Sequence, residues 1–188
     1  MFIYLHGFNS SPASSKARAL AERLAARGHA NALLAPVLSH RPRAAVATVE
    51  ALIAAHAAQT VTLVGSSLGG HYATWLAERH GVRAVLVNPA ISPAELLAAA
   101  LGPQTNLHTG ERWLLTPQHL EELRALDVAA ITRAERYLLV VASADEVLDS
   151  RVAIERFGGA RTLVHEGGDH GFADFPRYLD AVIDFGLA

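Results

Sequence analysis

The sequence predicts an α/β protein: a mostly parallel, doubly wound sheet of about six strands with helices on both faces. Three observations predict it. Six short apolar runs recur along the chain, segments of helical period separate most of them, and 188 residues suffice for one well-buried domain (1–188) but not comfortably for two. Strand followed by helix through a whole chain is the pattern of a parallel sheet joined by crossover helices.

The strand candidates are FIYL (2–5), NALLA (31–35), TVTLVG (60–65), AVLVN (84–88), YLLVVAS (137–143) and TLVHE (162–166). Each is apolar almost throughout and bounded by Gly, Pro or polar residues, as expected of strands covered on both faces. Between them, Ser14 is placed to cap a helix whose Ala17, Leu20 and Leu24 share a face and which ends at Gly28. Val46, Val49 and Ile53 form a second stripe within 43–58, and a third helix is expected over 70–80. A fourth, 150–157, stops at Gly158-Gly159, and a last one starts near Asp174 and buries Leu179, Val182 and Ile183. Segment 91–135 breaks the rhythm: it reads as a helical insert without strands, two helices (93–101 and 117–126) joined by the polar loop GPQTNLHTGER. An insert of that length is expected to cover or bind something.

Composition narrows the function classes. The chain is 51% hydrophobic and 18% charged, with a formal net charge of -2 and no cluster of Lys and Arg, so a nucleic-acid partner is not expected. No cysteine is present, which removes disulfides, thiolate metal sites and cysteine nucleophiles together. MFIYLHGF enters an apolar run with neither a basic n-region nor a small-residue cleavage site, and no stretch reaches the roughly 20 apolar residues of a membrane span. The expectation is a soluble cytoplasmic protein without a membrane partner. Oligomeric state is left open.

The residues that carry chemistry begin at GSSLG (65–69), which fits G-x-S-x-G with Ser67 in register. A strand ends just before it and a helix starts just after. Reversing the chain in so few residues forces the central residue to positive φ and leaves no room for side chains two positions to either side, where Gly65 and Gly69 stand. The hydroxyl is thereby presented at a strand's C-terminal end and a helix N-terminus, where developing negative charge is favoured. Ser66 occupies the x position and is expected only to pack or cap.

A serine hydroxyl needs a base. Of ten histidines, His170 in HEGGDHGF (165–172) follows the last expected strand, so it belongs on the sheet edge that carries Ser67. His29, His40, His80 and His119 read as surface histidines. HEGGDH also approaches the H-E-x-x-H of zinc proteases, but it is one residue too long and puts two glycines where a helix must run, so no metal site is expected. The acid should lie after the preceding strand, where Asp145, Glu146 and Asp149 are available, with Asp169 next to the base. Asp145 is favoured because it comes soonest after the strand, and Asp149 reads as the cap of the following helix. The order Ser67, Asp145, His170 is that of α/β-hydrolases. An acyl-transfer site also needs donors for an oxyanion. These are expected from the backbone amide of Leu68, after the nucleophile, and that of Phe8, in LHGFNSSP (5–12) after the first strand.

Assembled in this order, the chain resembles the α/β-hydrolase superfamily and, more narrowly, the small bacterial YqiA-type esterases of the UPF0227 family. The resemblance rests on YLHGFNSSP, VGSSLGGHYATWLA, VNPAISPAELL, DEVLD and EGGDHGF, which occur in family order over nearly the whole chain. It implies a three-layer α/β-hydrolase fold and a compact serine hydrolase of carboxylic esters, with acyl-CoA thioesters within its range. Family roles fall on Ser67 as nucleophile, Asp145 as acid and His170 as base. No cofactor is expected, and the partner is a small-molecule ester or thioester of small to medium apolar acyl groups. Leu96, Leu97, Leu101, Trp113, Leu114 and Leu115 of the insert are expected to furnish the apolar pocket. The competing readings are a non-catalytic binding protein on the same fold and an amidase or peptidase.

Overall fold

Five of the six apolar runs form strands of four to six residues, and the sixth contracts to two. The computed structural model describes residues 1–188. The strands are β1 (Phe2–Leu5), β2 (Leu33–Leu34), β3 (Thr62–Ser66), β4 (Arg83–Val87), a separate pair β5 (Gly102–Thr105) and β6 (Arg112–Leu115), then β7 (Tyr137–Ala142) and β8 (Arg161–His165). The main sheet runs β2-β1-β3-β4-β7-β8, with every neighbouring pair parallel. The doubly wound sheet expected from the sequence is present. β2 is shorter than expected: it is an edge strand paired through two residues, and Pro36 follows within two positions.

Seven helices pack on the sheet or stand at its edge: α1 (Ser15–Ala26), α2 (Pro42–Ala55), α3 (Leu68–His80), α4 (Pro93–Leu97), α5 (Pro117–Arg124), α6 (Ser150–Arg156) and α7 (Leu179–Leu187). The strand period of two divides the core cleanly. Ile3, Leu5, Leu63, Leu86 and Leu139 join α2, α3, α5 and α6 on one face. Phe2, Tyr4, Val64, Val85 and Val140 join α1 and α7 on the other. Each central strand therefore feeds two apolar layers, which is why it reads as a continuous apolar run. Ser14 stands at the N-cap of α1 without a side-chain cap bond; its hydroxyl faces Tyr4 Oη at 3.5 Å instead. The last helix opens as a 3₁₀ turn over Phe175–Tyr178.

The insert departs from expectation. Where 91–135 was expected to hold helices only, β5 and β6 form an antiparallel hairpin. Its turn is built locally: Asn106 Oδ1 accepts the amides of His108 and Thr109, and Gly110 adopts φ +73°. The first expected helix of the segment is correspondingly short, α4 followed by a 3₁₀ turn to Ala100. No helix is long and apolar enough to cross a membrane.

Candidate active site

Because the sheet is parallel, the segments after β1, β3, β7 and β8 all emerge on its C-terminal edge, and these segments carry the expected site residues. Ser67 lies between β3 and α3 with φ +54° and ψ -120°. The glycines beside it are sterically required. A Cβ on Gly65 would stand 2.3 Å from the Gly69 carbonyl oxygen, and one on Gly69 would stand 2.0 Å from that of Leu5. The strained serine is held by its own peptide groups: its N–H donates to the Val87 carbonyl at 3.0 Å, and its carbonyl accepts from Gly70 at 2.8 Å and Ala90 at 3.1 Å.

Ser67, His170 and Asp145 form one hydrogen-bonded chain. His170 Nε2 lies 3.0 Å from Ser67 Oγ, and His170 Nδ1 lies 2.8 Å from Asp145 Oδ2. An ionised carboxylate only accepts, so Nδ1 carries the proton and Nε2 is free to accept from the serine. The Asp145 side chain is 1% exposed, and its other oxygen accepts the amides of Val147 and Leu148, both at 2.8 Å. Asp145 is thus immobilised by its own turn before it meets the histidine.

The other carboxylates considered from the sequence have separate partners. Asp149 is the N-cap of α6 and accepts from the Arg151 amide at 2.9 Å. Asp169 Oδ1 accepts the Phe172 amide at 2.8 Å. Glu146 Oε2 accepts the backbone N–H of His170 at 3.0 Å, a tether that sequence reasoning missed. Lys16 is a second missed tether: its ammonium donates to the Gly171 carbonyl at 2.6 Å. Partial burial lowers its pKa below the ordinary lysine value, against the pull of Asp169 and Asp145.

Asn88 is the third. It is 4% exposed, has φ +41°, accepts the Ala142 amide at 2.9 Å and reaches the Asp169 carbonyl at 3.5 Å. From the end of β4 it therefore connects the segment leading to Asp145 with the residue before His170. An asparagine directly after a strand, in VNP, was the available signal.

The amides of Phe8 and Leu68 donate to no protein acceptor. Gly7 lies against the serine, since a Cβ there would be 3.2 Å from Ser67 Cβ. Beside these residues is a small cavity of about 40 Å³, walled by Gly7, Phe8, Leu68, Tyr72, His40 and Trp113. Trp113 lies edge-on to Phe8, stacks on His40 at 4.4 Å, and donates from Nε1 to Asn9 Oδ1 at 2.9 Å.

Of the six apolar insert residues expected at the pocket, only Trp113 lines this cavity. In β6 the side chains alternate, so Trp113 and Leu115 turn inward while Leu114 is 57% exposed. Leu96 and Leu101 are also exposed, and Leu97 packs on the core. The surface reading of His119 is likewise corrected: it is buried at the start of α5 and closes a capping box with Thr116. The two histidines of HEGGDH have different partners, His165 facing Tyr178 Oη at 3.0 Å and His170 facing the serine.

The sheet order, the strained serine turn and the hydrogen-bonded chain after β3, β7 and β8 define an α/β-hydrolase fold. The same fold recurs in a putative hydrolase from Agrobacterium vitis S4, at TM-score 0.78 and 18% identity over 98% of this chain and 87% of that one. It recurs in alpha/beta hydrolase domain-containing protein 10 from mouse, at 0.74 and 19% over 100% and 90%. A monoacylglycerol lipase from Paleococcus ferrophilus matches at 0.70 and 16% over 99% and 93%. The chain belongs to the uncharacterised protein family UPF0227, whose model matches residues 1–187.

Proposed function

We propose that the protein is a serine hydrolase that cleaves carboxylic esters, acyl-CoA thioesters included, through an acyl-enzyme. The observation that carries this reading is the chain from Ser67 Oγ to His170 Nε2 at 3.0 Å and from His170 Nδ1 to Asp145 at 2.8 Å. Ser67 Oγ attacks the substrate carbonyl carbon as its proton passes to His170 Nε2. Asp145 holds the ring in the reactive tautomer and offsets the charge of the imidazolium. The carbonyl oxygen becomes an oxyanion and accepts from the amides of Phe8 and Leu68. When the tetrahedral adduct collapses, the C–O or C–S bond breaks and the leaving group takes the proton from His170. Water then repeats the sequence: His170 accepts its proton, the hydroxyl adds to the acyl carbon, and the acid and free Ser67 are released. The cycle balances without a cofactor.

The hydrolase, esterase and lipase names of proteins sharing the fold agree with this reading. The small cavity beside Phe8 and Leu68 favours the short end of the acyl range. A fluorophosphonate probe, followed by a panel of p-nitrophenyl esters and acyl-CoAs of graded length, tests the proposal. Labelling confined to Ser67 with ester turnover is expected. Folded protein that neither labels nor turns over would support a binding protein, and cleavage of anilides in preference to esters would support an amidase.

A further inference from the structure

His6 is a buried histidine outside the hydrogen-bonded chain, 7% exposed, in the segment that follows β1. Its two ring nitrogens have distinct partners. The backbone N–H of Leu38, 32 residues along the chain, donates to Nε2 at 3.3 Å. A ring nitrogen that accepts cannot also carry the proton, so the neutral imidazole bears its hydrogen on Nδ1. Nδ1 lies 3.0 Å from the carbonyl oxygen of Gly7 and therefore donates to it. Burial lowers the His6 pKa below the ordinary histidine value, outweighing the opposing pull of the Gly7 carbonyl, with a smaller push in the same direction from His108.

The bonded carbonyl belongs to the peptide unit whose N–H is that of Phe8. In a trans peptide the C=O and N–H point in opposite directions within one rigid plane, so fixing the Gly7 oxygen also fixes the Phe8 hydrogen. No cis peptide is present in the chain. The same unit begins at Gly7, which packs against the Ser67 side chain. Beyond Phe8, the Asn9 side chain is bonded to Gln104 at 3.2 Å and to Trp113 at 2.9 Å.

We propose that His6 is a positioning residue for the oxyanion site: held as the Nδ1–H tautomer by the Leu38 amide, it pins the Gly7–Phe8 peptide so that the Phe8 N–H faces the carbonyl group attacked by Ser67. The inference rests on the serine-hydrolase reading above. A glycine-containing peptide beside the nucleophile can rotate at small steric cost. Preorganised donors stabilise an oxyanion because they need not reorganise as charge develops. His6 supplies that preorganisation through the peptide, from the wall of the cavity beside Phe8.

Two measurements test it. Long-range ¹H–¹⁵N NMR of the unmodified protein reads the ring tautomer directly, and a protonated Nδ1 is expected. A proton on Nε2 would overturn the proposal whether or not any variant folds. His6→Phe keeps a planar ring, somewhat larger than imidazole, and removes both hydrogen bonds. In the folded variant kcat on a p-nitrophenyl ester should fall by about 10²-fold, on the order of losing one oxyanion donor. KM should stay within about twofold, because the site would lose an interaction made mainly in the transition state. His6→Asn, whose amide can still donate to the Gly7 carbonyl, should recover part of the loss. A folded His6→Phe with unchanged kcat, or with the whole effect in KM, would overturn the role. An unmodified protein that turns over no ester and takes no fluorophosphonate would instead sink the hydrolase reading, leaving the tautomer result to stand by itself.

Discussion

Glu146 Oε2 accepts the backbone N–H of His170 at 3.0 Å, so the residue next to Asp145 anchors the main chain that carries the histidine. Asp145 fixes the ring and Glu146 fixes the backbone. These bonds join the segments after β7 and β8 alongside those from Ser143 and Ala144 to Gly167, while Asn88 from β4 bridges Ala142 and Asp169 and Lys16 from α1 holds Gly171. Removing the acceptor should loosen the distance from His170 Nε2 to Ser67 Oγ. Glu146→Ala is expected to lower kcat about tenfold, corresponding to ~1.4 kcal/mol. Glu146→Gln keeps an oxygen acceptor and should stay within about threefold of the parent. Steady-state kinetics of both variants read this. Equal losses in the two would mean that the charge, not the tether, matters.

The paired serines should separate. Ser67→Ala should lower kcat by about 10⁵–10⁶, the scale of losing a serine nucleophile. Ser66 is buried beside the turn and lies outside the hydrogen-bonded chain of Ser67, His170 and Asp145, so Ser66→Ala should keep most activity. A dead Ser66 variant beside an active Ser67 variant would reverse the assignment.

Asp145→Asn should cost about 10⁴ in kcat with the fold kept, because an amide would favour the wrong tautomer of His170. Asp149→Asn removes charge from the N-cap of α6 and should give a small loss of thermal stability with activity kept. Comparing kcat and Tm of the two variants checks the pair. A folded, inactive Asp149 variant with an active Asp145 variant would move the acid along the chain.

Acidification should weaken the fold before the carboxylates titrate. Burial lowers the pKa of both His6 and His71 from the ordinary value of 6.5, outweighing the Asp127 charge and the Leu123 carbonyl beside His71. Above that pH, neither the folded nor the unfolded chain protonates these rings, and their full contribution to stability is present. Below it, the unfolded chain binds protons that the folded one resists, so stability falls toward the lowered folded values. The urea midpoint should therefore drop between about pH 7.5 and pH 5.5. His71→Gln should flatten that drop, whereas an unchanged or rising midpoint would contradict neutral buried rings.

What could be read from the sequence follows from how far each constraint reaches along the chain. The buried central strands were legible because both faces are apolar. The serine turn was legible because its sterics are local, Gly65 and Gly69 each being two residues from Ser67. The β5–β6 hairpin was not, since GPQT alternates partly buried and exposed residues with few apolar ones, and the pair lies outside the main sheet. His6 and Asn88 act through Leu38 and Ala142, 32 and 54 residues away, and no local pattern encodes those partners. His119 looked like a surface residue because its capping partner, Thr116, becomes recognisable only once the start of α5 is known.

Trp113 makes the most specific prediction about substrate. It is the one insert residue of the six expected that faces the cavity next to Phe8 and Leu68, and that cavity is only about 40 Å³. By the same kind of measure a single water needs on the order of 10–15 Å³, so on the proposed esterase reading, with the acyl group in this cavity, a short acyl group fits it better than a long chain. The unmodified protein should thus prefer p-nitrophenyl acetate or propionate to octanoate. Trp113→Ala should raise the octanoate-to-acetate ratio of kcat/KM by about 10-fold or more, since a few methylenes in an apolar pocket are worth ~1–3 kcal/mol. The substitution also breaks the bond from Nε1 to Asn9, which could depress turnover of every ester. The ratio cancels that common loss, and Asn9→Ala controls for it: this variant breaks the same bond, trims only a small part of the cavity wall, leaves the indole in place and should shift the ratio far less. If Trp113→Ala left the ratio where it was, the acyl chain would have to bind on another side of Ser67. If Asn9→Ala shifted the ratio as strongly, the preference would not come from the indole wall.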